Sequence, residues 1–142
     1  MTIQQHNEAL VRKAMESFLN ADGAEFFGLF DEESVLIEPE GLPYEGTYKG
    51  LESIKTALWQ MSNCWQEWDV KPWQVTSGGD YIVVLIDFAA TAVATGRRVA
   101  FPIAEAWHLR NGKVVSLRPI YGDTALAIAA LGTGKPSTNA RN

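Results

Sequence analysis

The sequence predicts an α+β fold in which helices cover one face of an antiparallel sheet. In the first part of the chain, apolar residues recur at three- and four-residue spacing, which is typical of amphipathic helices. From Trp65 onward the chain instead carries long runs rich in β-branched residues, separated by tight turns. Helices followed by hairpin-linked strands are characteristic of this fold class.

The length of 142 residues is typical of one domain that buries a real core. We assign residues 1–131 to this domain. Residues 132–142 contain no large apolar side chain, and we expect them to form a disordered tail.

The charge distribution argues against a nucleic-acid or membrane partner. Twelve basic residues stand against 17 acidic ones, and the densest basic pair is Arg97-Arg98. No apolar run approaches the roughly 20 residues of a membrane span, and the start does not resemble a signal peptide. The single cysteine, Cys64, fits a reducing compartment. These observations predict a cytoplasmic protein.

Four helices are expected. The spacing of apolar residues predicts a helix over residues 10–19, and Asp22 is positioned to cap a second, short helix that carries Phe26, Phe27, Leu29 and Phe30. A third follows the loop at residues 39–50, with Leu51, Ile54, Leu58 and Met61 on one face, and Asp123 is positioned to cap a terminal helix that ends at Leu131.

Five strands are expected, and the loop at residues 39–50 can form a further short hairpin. One face of the sheet packs on the helices, and the other needs a different cover, commonly a second subunit. We therefore expect a homodimer through this outer sheet face. The strands are predicted at Val35–Glu38, Trp68–Ser77, Tyr81–Thr95, Val99–Arg110 and Lys113–Tyr121.

Three stretches resemble a known family. They are Ile37-Glu38-Pro39-Glu40-Gly41, then Asn20-Ala21-Asp22 with Leu29-Phe30-Asp31, and the block from Phe101-Pro102-Ile103 through residues 112–118 to Tyr121-Gly122-Asp123. Together they resemble the ketosteroid isomerase and SnoaL-like branch of the nuclear transport factor 2-like superfamily. The resemblance extends over roughly residues 8 to 131.

The resemblance implies a cone-shaped fold, also described as an α+β barrel. Three N-terminal helices would pack on a strongly curved antiparallel or mixed sheet that encloses a pocket. It also implies that Glu38 stands at the position of the family's general base. The two oxyanion donors of ketosteroid isomerases are a tyrosine and a protonated aspartate, and these positions align with Met15 and Ala104. Since losing one such donor typically costs about 10²–10³ in rate, the resemblance implies a changed reaction.

Glu38 is the first candidate catalytic residue. A carboxylate directed into an apolar pocket is desolvated in its ionised form, so we expect a raised pKa. The alternative is a solvated carboxylate at a strand end, like Glu40 or Glu45.

Three further residues are candidate partners of Glu38. Asp87 shares a strand face with Leu85, and the resemblance places that face toward the pocket, unless Asp87 points outward to an arginine. His108 alternates with Ala104 and Ala106, which predicts all three on the pocket face; the alternative is a structural histidine. The hydroxyl of Tyr121 can replace a missing donor, or Tyr121 is a core aromatic. Glu105 and Trp107 are expected on the outer face.

The candidate substrate-binding residues are those expected to wall the pocket or to close over it. Several are tryptophans, which can wall a cavity for a large hydrophobic ligand or fill core and interface. The set is Met15, Phe18, Tyr44, Trp59, Trp65, Leu85, Ala104, Ala106 and Pro119.

These residues predict an isomerase or cyclase that uses acid/base chemistry on a hydrophobic small molecule of polyketide or terpenoid type, without cofactor or metal. The metal, phosphate-loop and nucleophile-elbow motifs are absent from the sequence. Two alternatives stay open. One is ring opening of the limonene epoxide hydrolase type, although the positions of that triad hold Asp87, Ala89 and Pro119. The other is a small-molecule-binding domain without chemistry.

Overall fold

The computed structural model describes residues 1–20 and 22–132. The expected tail therefore lies outside the described residues, apart from Gly132. Within the described residues the chain forms four helices and six strands, with most helices first and the long strands after them, which confirms the α+β class. In chain order they are α1 (Ile3–Leu19), α2 (Ala24–Phe27), β1 (Val35–Glu38), β2 (Gly46–Lys49), α3 (Leu51–Cys64), β3 (Trp65–Gly78), β4 (Tyr81–Ala92), β5 (Arg98–Arg110), β6 (Lys113–Tyr121) and α4 (Thr124–Leu131).

The strands form one mixed sheet with the order β2-β1-β6-β5-β4-β3. Among the strands of the described residues, β1 and β6 alone pair in parallel, through Val35 with Ser116 and Leu36 with Leu117. All other neighbours are antiparallel. The edge strands β2 and β3 do not pair with each other, so the sheet is not closed into a barrel. Its curved inner face leaves room for a pocket under the helices.

The helix ends differ from the sequence predictions in three places, and one of them is that α2 ends at Phe27, so Leu29 and Phe30 lie beyond it. Helix α1 begins at Ile3, not at residue 10, because Thr2 and Gln5 form a reciprocal capping box. Helix α2 is not capped by Asp22; Gly23 is its N-cap, in the left-handed conformation, and the hydroxyl of Ser17 accepts the backbone N–H of Glu25 in the first turn at 3.2 Å. Asp123 does cap α4, by accepting the backbone N–H of Leu126 at 2.9 Å. No helix within residues 1–20 and 22–132 is long and apolar enough to cross a membrane.

The predicted strands are confirmed, with small changes at their ends. The stretch after Glu38 returns as β2, so the loop contains the short hairpin. Strand β3 begins directly at Trp65, three residues before the predicted start, and a register irregularity lies between Gln66 and Asp69. Strand β4 ends at Ala92 instead of Thr95.

The core lies between the helices and the inner face of the sheet. Trp107 is fully buried there and packs edge-on against Phe26. Its predicted place on the outer face was therefore wrong. A strand can present only alternate residues to one face, so the position of Trp107 also decides the direction of its neighbours along β5.

Candidate active site

A cavity of about 450 Å³ opens between the helices and the inner face of the sheet. All the helices before β3 and every strand except β2 contribute to its wall. Apolar side chains dominate this wall, as is usual for small-molecule sites. The lining residues are Met15, Phe18, Leu19, Phe26, Leu36, Glu38, Leu58, Met61, Ser62, Trp68, Val70, Ile86, Phe88, Ile103, Glu105, Leu117, Pro119 and Tyr121.

Glu38 enters this cavity from the end of β1. Because side chains alternate along a strand, Glu38 shares the inner face with Leu36, which pairs with Leu117 of β6. Only 4% of Glu38 is exposed. Its Oε1 atom has no hydrogen-bond partner among the described residues. The prediction of a buried carboxyl is confirmed, and the solvated alternative is excluded.

A second carboxyl, that of Glu105, enters the same cavity from β5. Glu105 of β5 pairs with Pro119 of β6. On the other side of β6, continuing the parallel register of Leu36 with Leu117 by two residues brings Glu38 of β1 beside Pro119. The two acids thus occupy one row, two strand spacings or roughly 10 Å apart at Cα. The Oε1 atom of Glu105 accepts a hydrogen bond from Nε1 of Trp107 at 3.1 Å.

The two acids titrate differently from free carboxyl groups. Burial, with a smaller contribution from the charge of Glu105, raises the pKa of Glu38 to about 8. Burial raises the pKa of Glu105 to about 7, although the hydrogen bond from Trp107 opposes this by stabilising the ionised form. Glu105 therefore loses its proton first. Between about pH 7 and pH 8, the state with one ionised and one protonated carboxyl is therefore favoured.

Three side chains, one on the cavity wall and two behind it, form a hydrogen-bonded chain that we call the Trp65–Tyr44–Tyr121 relay. Nε1 of Trp65 donates to the hydroxyl oxygen of Tyr44 at 3.1 Å, and the hydroxyl groups of Tyr44 and Tyr121 lie 2.6 Å apart. Burial is the first cause that raises the pKa of each tyrosine. Tyr121, at the end of β6, is the member that lines the cavity.

The structure places five of the predicted site residues on the cavity wall: Glu38, Tyr121, Met15, Phe18 and Pro119. Their chemical roles stay predictions.

Three predicted aromatic residues lie elsewhere. Tyr44 and Trp65 are buried just behind the wall, in the relay. Trp59 is 66% exposed and does not line the cavity, so its predicted place was wrong. It points outward from α3, and Trp68 on β3 lines the cavity instead.

On β4 the predicted faces were reversed. Ile86 and Phe88 line the cavity, so Leu85 and Asp87 lie on the outer face, where Asp87 is exposed. The physical reason is that both faces of β4 carry apolar residues, so hydrophobic alternation does not decide which one is buried. Moving the assignment by one residue moves every side chain to the other face.

The same reversal affects β5. Ala104, Ala106 and His108 pair with outer-face residues of β4, and the ring of His108 stacks on Tyr81 at 4.5 Å. Glu105 was therefore the acid that sequence reasoning missed. Side-chain size is the signal that could have found it, because the residues that alternate with Glu105 are bulky, whereas the opposite face carries two alanines.

Comparison with known proteins agrees with the fold. The family model of the SnoaL-like domain matches residues 11–117. An NTF2-like protein of Burkholderia pseudomallei K96243 has a similar structure with a TM-score of 0.79; it is 26% identical, and the match covers 88% of this chain and 96% of that one.

Two further structures are similar at lower identity. TerC, co-crystallised with polyporic acid, has a TM-score of 0.78 and is 20% identical, over 89% of this chain and 98% of that one. A protein of Jannaschia sp. CCS1 that carries the name SnoaL-like polyketide cyclase has a TM-score of 0.79 and is 16% identical, over 96% and 97%. No curated protein matches the sequence.

Proposed function

This chain belongs to the SnoaL-like domain family, and from that premise we propose that it is an acid/base enzyme, an isomerase or cyclase, for a hydrophobic small molecule of polyketide or terpenoid type. One observation carries the proposal. The carboxyl groups of Glu38, which is buried, and Glu105, which is half-buried, share one apolar cavity, and their different surroundings raise the pKa values to about 8 and about 7. Carboxyl groups whose environments separate their pKa values are suited to act as acid and base in one reaction.

The cavity supports a hydrophobic substrate. Its volume of about 450 Å³ lies within the usual range for small-molecule sites. Apart from the two acids, Tyr121, Ser62 and Trp68, its wall is apolar. A relative that carries the name polyketide cyclase and another that was crystallised with polyporic acid support the same class of ligand.

The roles of the two acids follow from their hydrogen bonds. Glu105 is the better anion because Trp107 donates to it, so Glu105 accepts the proton from a carbon next to a carbonyl group. The bonding pair moves toward the carbonyl oxygen and forms an enolate. Glu38, which lacks a donor at Oε1, starts protonated and gives its proton to the γ-carbon, or to the alkoxide formed on ring closure. The mechanism thus makes Glu38 the acid, whereas the resemblance alone implied a base.

The resting state must then be restored, since one turnover leaves Glu105 protonated and Glu38 ionised. One proton lost by Glu105 and one gained by Glu38 complete the cycle. Activity therefore requires ionised Glu105 together with protonated Glu38, and we expect a bell-shaped pH profile with its maximum between about pH 7 and pH 8.

The experiment measures turnover of cavity-sized β,γ-unsaturated ketones and linear 1,3-polyketones, by absorbance for isomerisation and by mass spectrometry for ring closure. We expect both Glu38→Gln and Glu105→Gln to lower turnover by about 10²–10⁴-fold, as for other general acids and bases. Glu40→Gln, which changes an exposed acid two residues from Glu38, is the matched control and should leave turnover unchanged. Ligand binding without turnover in the parent protein would instead indicate a non-catalytic binding domain.

A further inference from the structure

The direction of the Trp65–Tyr44–Tyr121 relay can be deduced from its hydrogen-bond inventory. The indole N–H of Trp65 can only donate, so the hydroxyl oxygen of Tyr44 must accept it. Tyr44 is fully buried, and its hydroxyl hydrogen needs an acceptor. Among the described residues, the hydroxyl oxygen of Tyr121 is the only acceptor within reach, at 2.6 Å. Tyr44 therefore donates to Tyr121.

The opposite direction would leave a buried group unsatisfied. If Tyr121 donated to Tyr44, the hydroxyl hydrogen of Tyr44 would have no acceptor among the described residues. Leaving a buried donor unsatisfied costs about 1–3 kcal/mol. The arrangement with Trp65 donating to Tyr44, and Tyr44 to Tyr121, satisfies every donor behind the wall.

This direction leaves the hydroxyl hydrogen of Tyr121 without an acceptor in the described protein. Tyr121 lines the cavity together with Glu38 and Glu105. Its ring is fixed from one side by Phe101, at a centroid distance of 5.3 Å, and its oxygen is fixed by Tyr44. The free hydrogen can therefore be used by a ligand, and the donors behind it strengthen it by polarising the chain.

We propose that Tyr121 donates a hydrogen bond to the carbonyl oxygen of the substrate, and that Tyr44 and Trp65 are positioning residues that orient and polarise it. This inference rests on the proposed function, and it narrows the substrate to molecules whose carbonyl oxygen reaches the end of β6 while the adjacent carbon faces the carboxyl pair. The relay supplies an oxyanion donor in a cavity where Met15 lines the wall at the position that the resemblance aligned with the family's tyrosine.

The environment of the tyrosines fits a donor and not a base. Burial, together with the nearby hydroxyl of Tyr44 and the carboxyl of Glu38, raises the pKa of Tyr121 well above its usual range. The phenol keeps its hydrogen throughout the pH range in which the carboxyl pair works. Such a preformed donor stabilises negative charge that develops on an enolate oxygen.

The test compares two ligands of nearly equal shape, 2-acetylnaphthalene, which has a carbonyl oxygen, and 2-isopropenylnaphthalene, which does not. Binding is measured by fluorescence titration of the full chain. We expect Tyr121→Phe to weaken binding of the ketone about five- to tenfold, which is the effect of losing one buried hydrogen bond. Binding of the hydrocarbon should change by less than about twofold, which shows that the cavity of the variant is intact.

Infrared difference spectra of the bound ketone provide the second readout. A hydrogen bond from Tyr121 lowers the carbonyl stretching frequency, and Tyr121→Phe should remove most of this shift. Tyr44→Phe should reduce the shift and the ketone affinity only in part, because Tyr121 keeps its hydrogen but loses its polarising donor. Tyr81→Phe on the outer face is the matched control and should change neither value.

Two results would overturn the inference. One is an equal loss of ketone and hydrocarbon affinity in Tyr121→Phe, which indicates a packing role. The other is stronger ketone binding in Tyr44→Phe, which indicates that Tyr121 normally donates to Tyr44. Failure of the proposed function is distinct from both, since it would appear as unchanged turnover in the carboxyl variants while the preference for the ketone persists.

Discussion

Replacement of Glu38 by glutamine tests the most unusual physical feature of the site, a carboxyl that is buried without a hydrogen bond at one oxygen. Only 4% of Glu38 is exposed, and its pKa is raised from 4.5 to about 8. Glutamine keeps the shape of the side chain and removes its charge. We expect the substitution to change how the free energy of unfolding depends on pH.

The sign and size follow from proton linkage. A raised pKa means that the folded state binds the proton more tightly than the unfolded chain. The stability from Glu38 is therefore complete below about pH 4.5 and is lost as the pH rises through about 8. With about 1.4 kcal/mol for each pH unit between the two pKa values, the loss is about 3 kcal/mol by pH 7 and about 5 kcal/mol by pH 9.

The assay is urea unfolding followed by tryptophan fluorescence, for which the chain has five tryptophans. The parent protein and Glu38→Gln are compared at several pH values from 4 to 9. The stability of the variant relative to the parent should increase by about 3 kcal/mol between pH 4 and pH 7. Glu40→Gln serves as the control, because Glu40 is exposed and its removal should not produce this trend.

A relative stability that stays flat over this pH range would refute the reasoning, since it would show that Glu38 titrates alike in the folded and unfolded chain. If the relative stability stays flat but Glu38→Gln still loses turnover, Glu38 would be needed for contact with the substrate, and its pKa would not be raised by the fold. Comparing the difference between the two proteins, rather than the parent curve alone, separates Glu38 from Glu105, whose pKa is also raised.

Two further predictions concern packing and assembly. Gly122→Ala should lower the free energy of unfolding by about 1–3 kcal/mol, because the added Cβ would lie 2.7 Å from the backbone oxygen of Pro102. Gly78→Ala is the control, since a Cβ at that position would meet nothing within 4 Å. Equal effects of the two substitutions on urea unfolding would contradict the packing argument. The homodimer stays a prediction. Ala104 pairs with Ile120 on the outer face, so Ala104→Arg should weaken dimerisation. The same mass for parent and variant in sedimentation equilibrium would contradict this.

The order of the elements could be predicted because each one carries a local signal. The strand from Val35 to Glu38 and the strand from Lys113 to Tyr121 have the predicted bounds, since Pro39 and the Asn111-Gly112 turn mark their ends directly. The cap at Asp123 was predictable for the same reason. The burial of Glu38 followed from its apolar neighbours together with the resemblance.

The direction of the strand faces could not be predicted in this way. Strand β4 carries apolar residues on both faces, so the pattern is the same whichever face is buried, and Asp87 was placed inside. On β5 the resemblance aligned the family's protonated aspartate with Ala104, whereas the carboxyl in the cavity belongs to the next residue, Glu105. Side-chain volume, with Trp107 beside Glu105 on the same face, decides the direction, because only the core side has depth for large residues.

The relay was beyond sequence reasoning for a different reason. Tyr44 and Tyr121 are 77 residues apart, and they meet because β1 pairs with β6, the last strand in the chain. No periodic pattern encodes such a contact. Tyr44 and Tyr121 could be predicted from the sequence as site residues, but the hydrogen bond between their hydroxyl groups could not.

The energetic cost of the carboxyl pair is itself an argument for chemistry. At neutral pH the burial of Glu38 alone lowers the stability of the fold by about 3 kcal/mol, which is a large part of a typical domain's stability. A structural role would need a partner that repays this cost, yet Oε1 of Glu38 has none among the described residues. Glu105 lies in the same cavity with its own raised pKa. Two acids held against their preference for water on the wall of one apolar cavity fit a site that exchanges protons with a ligand.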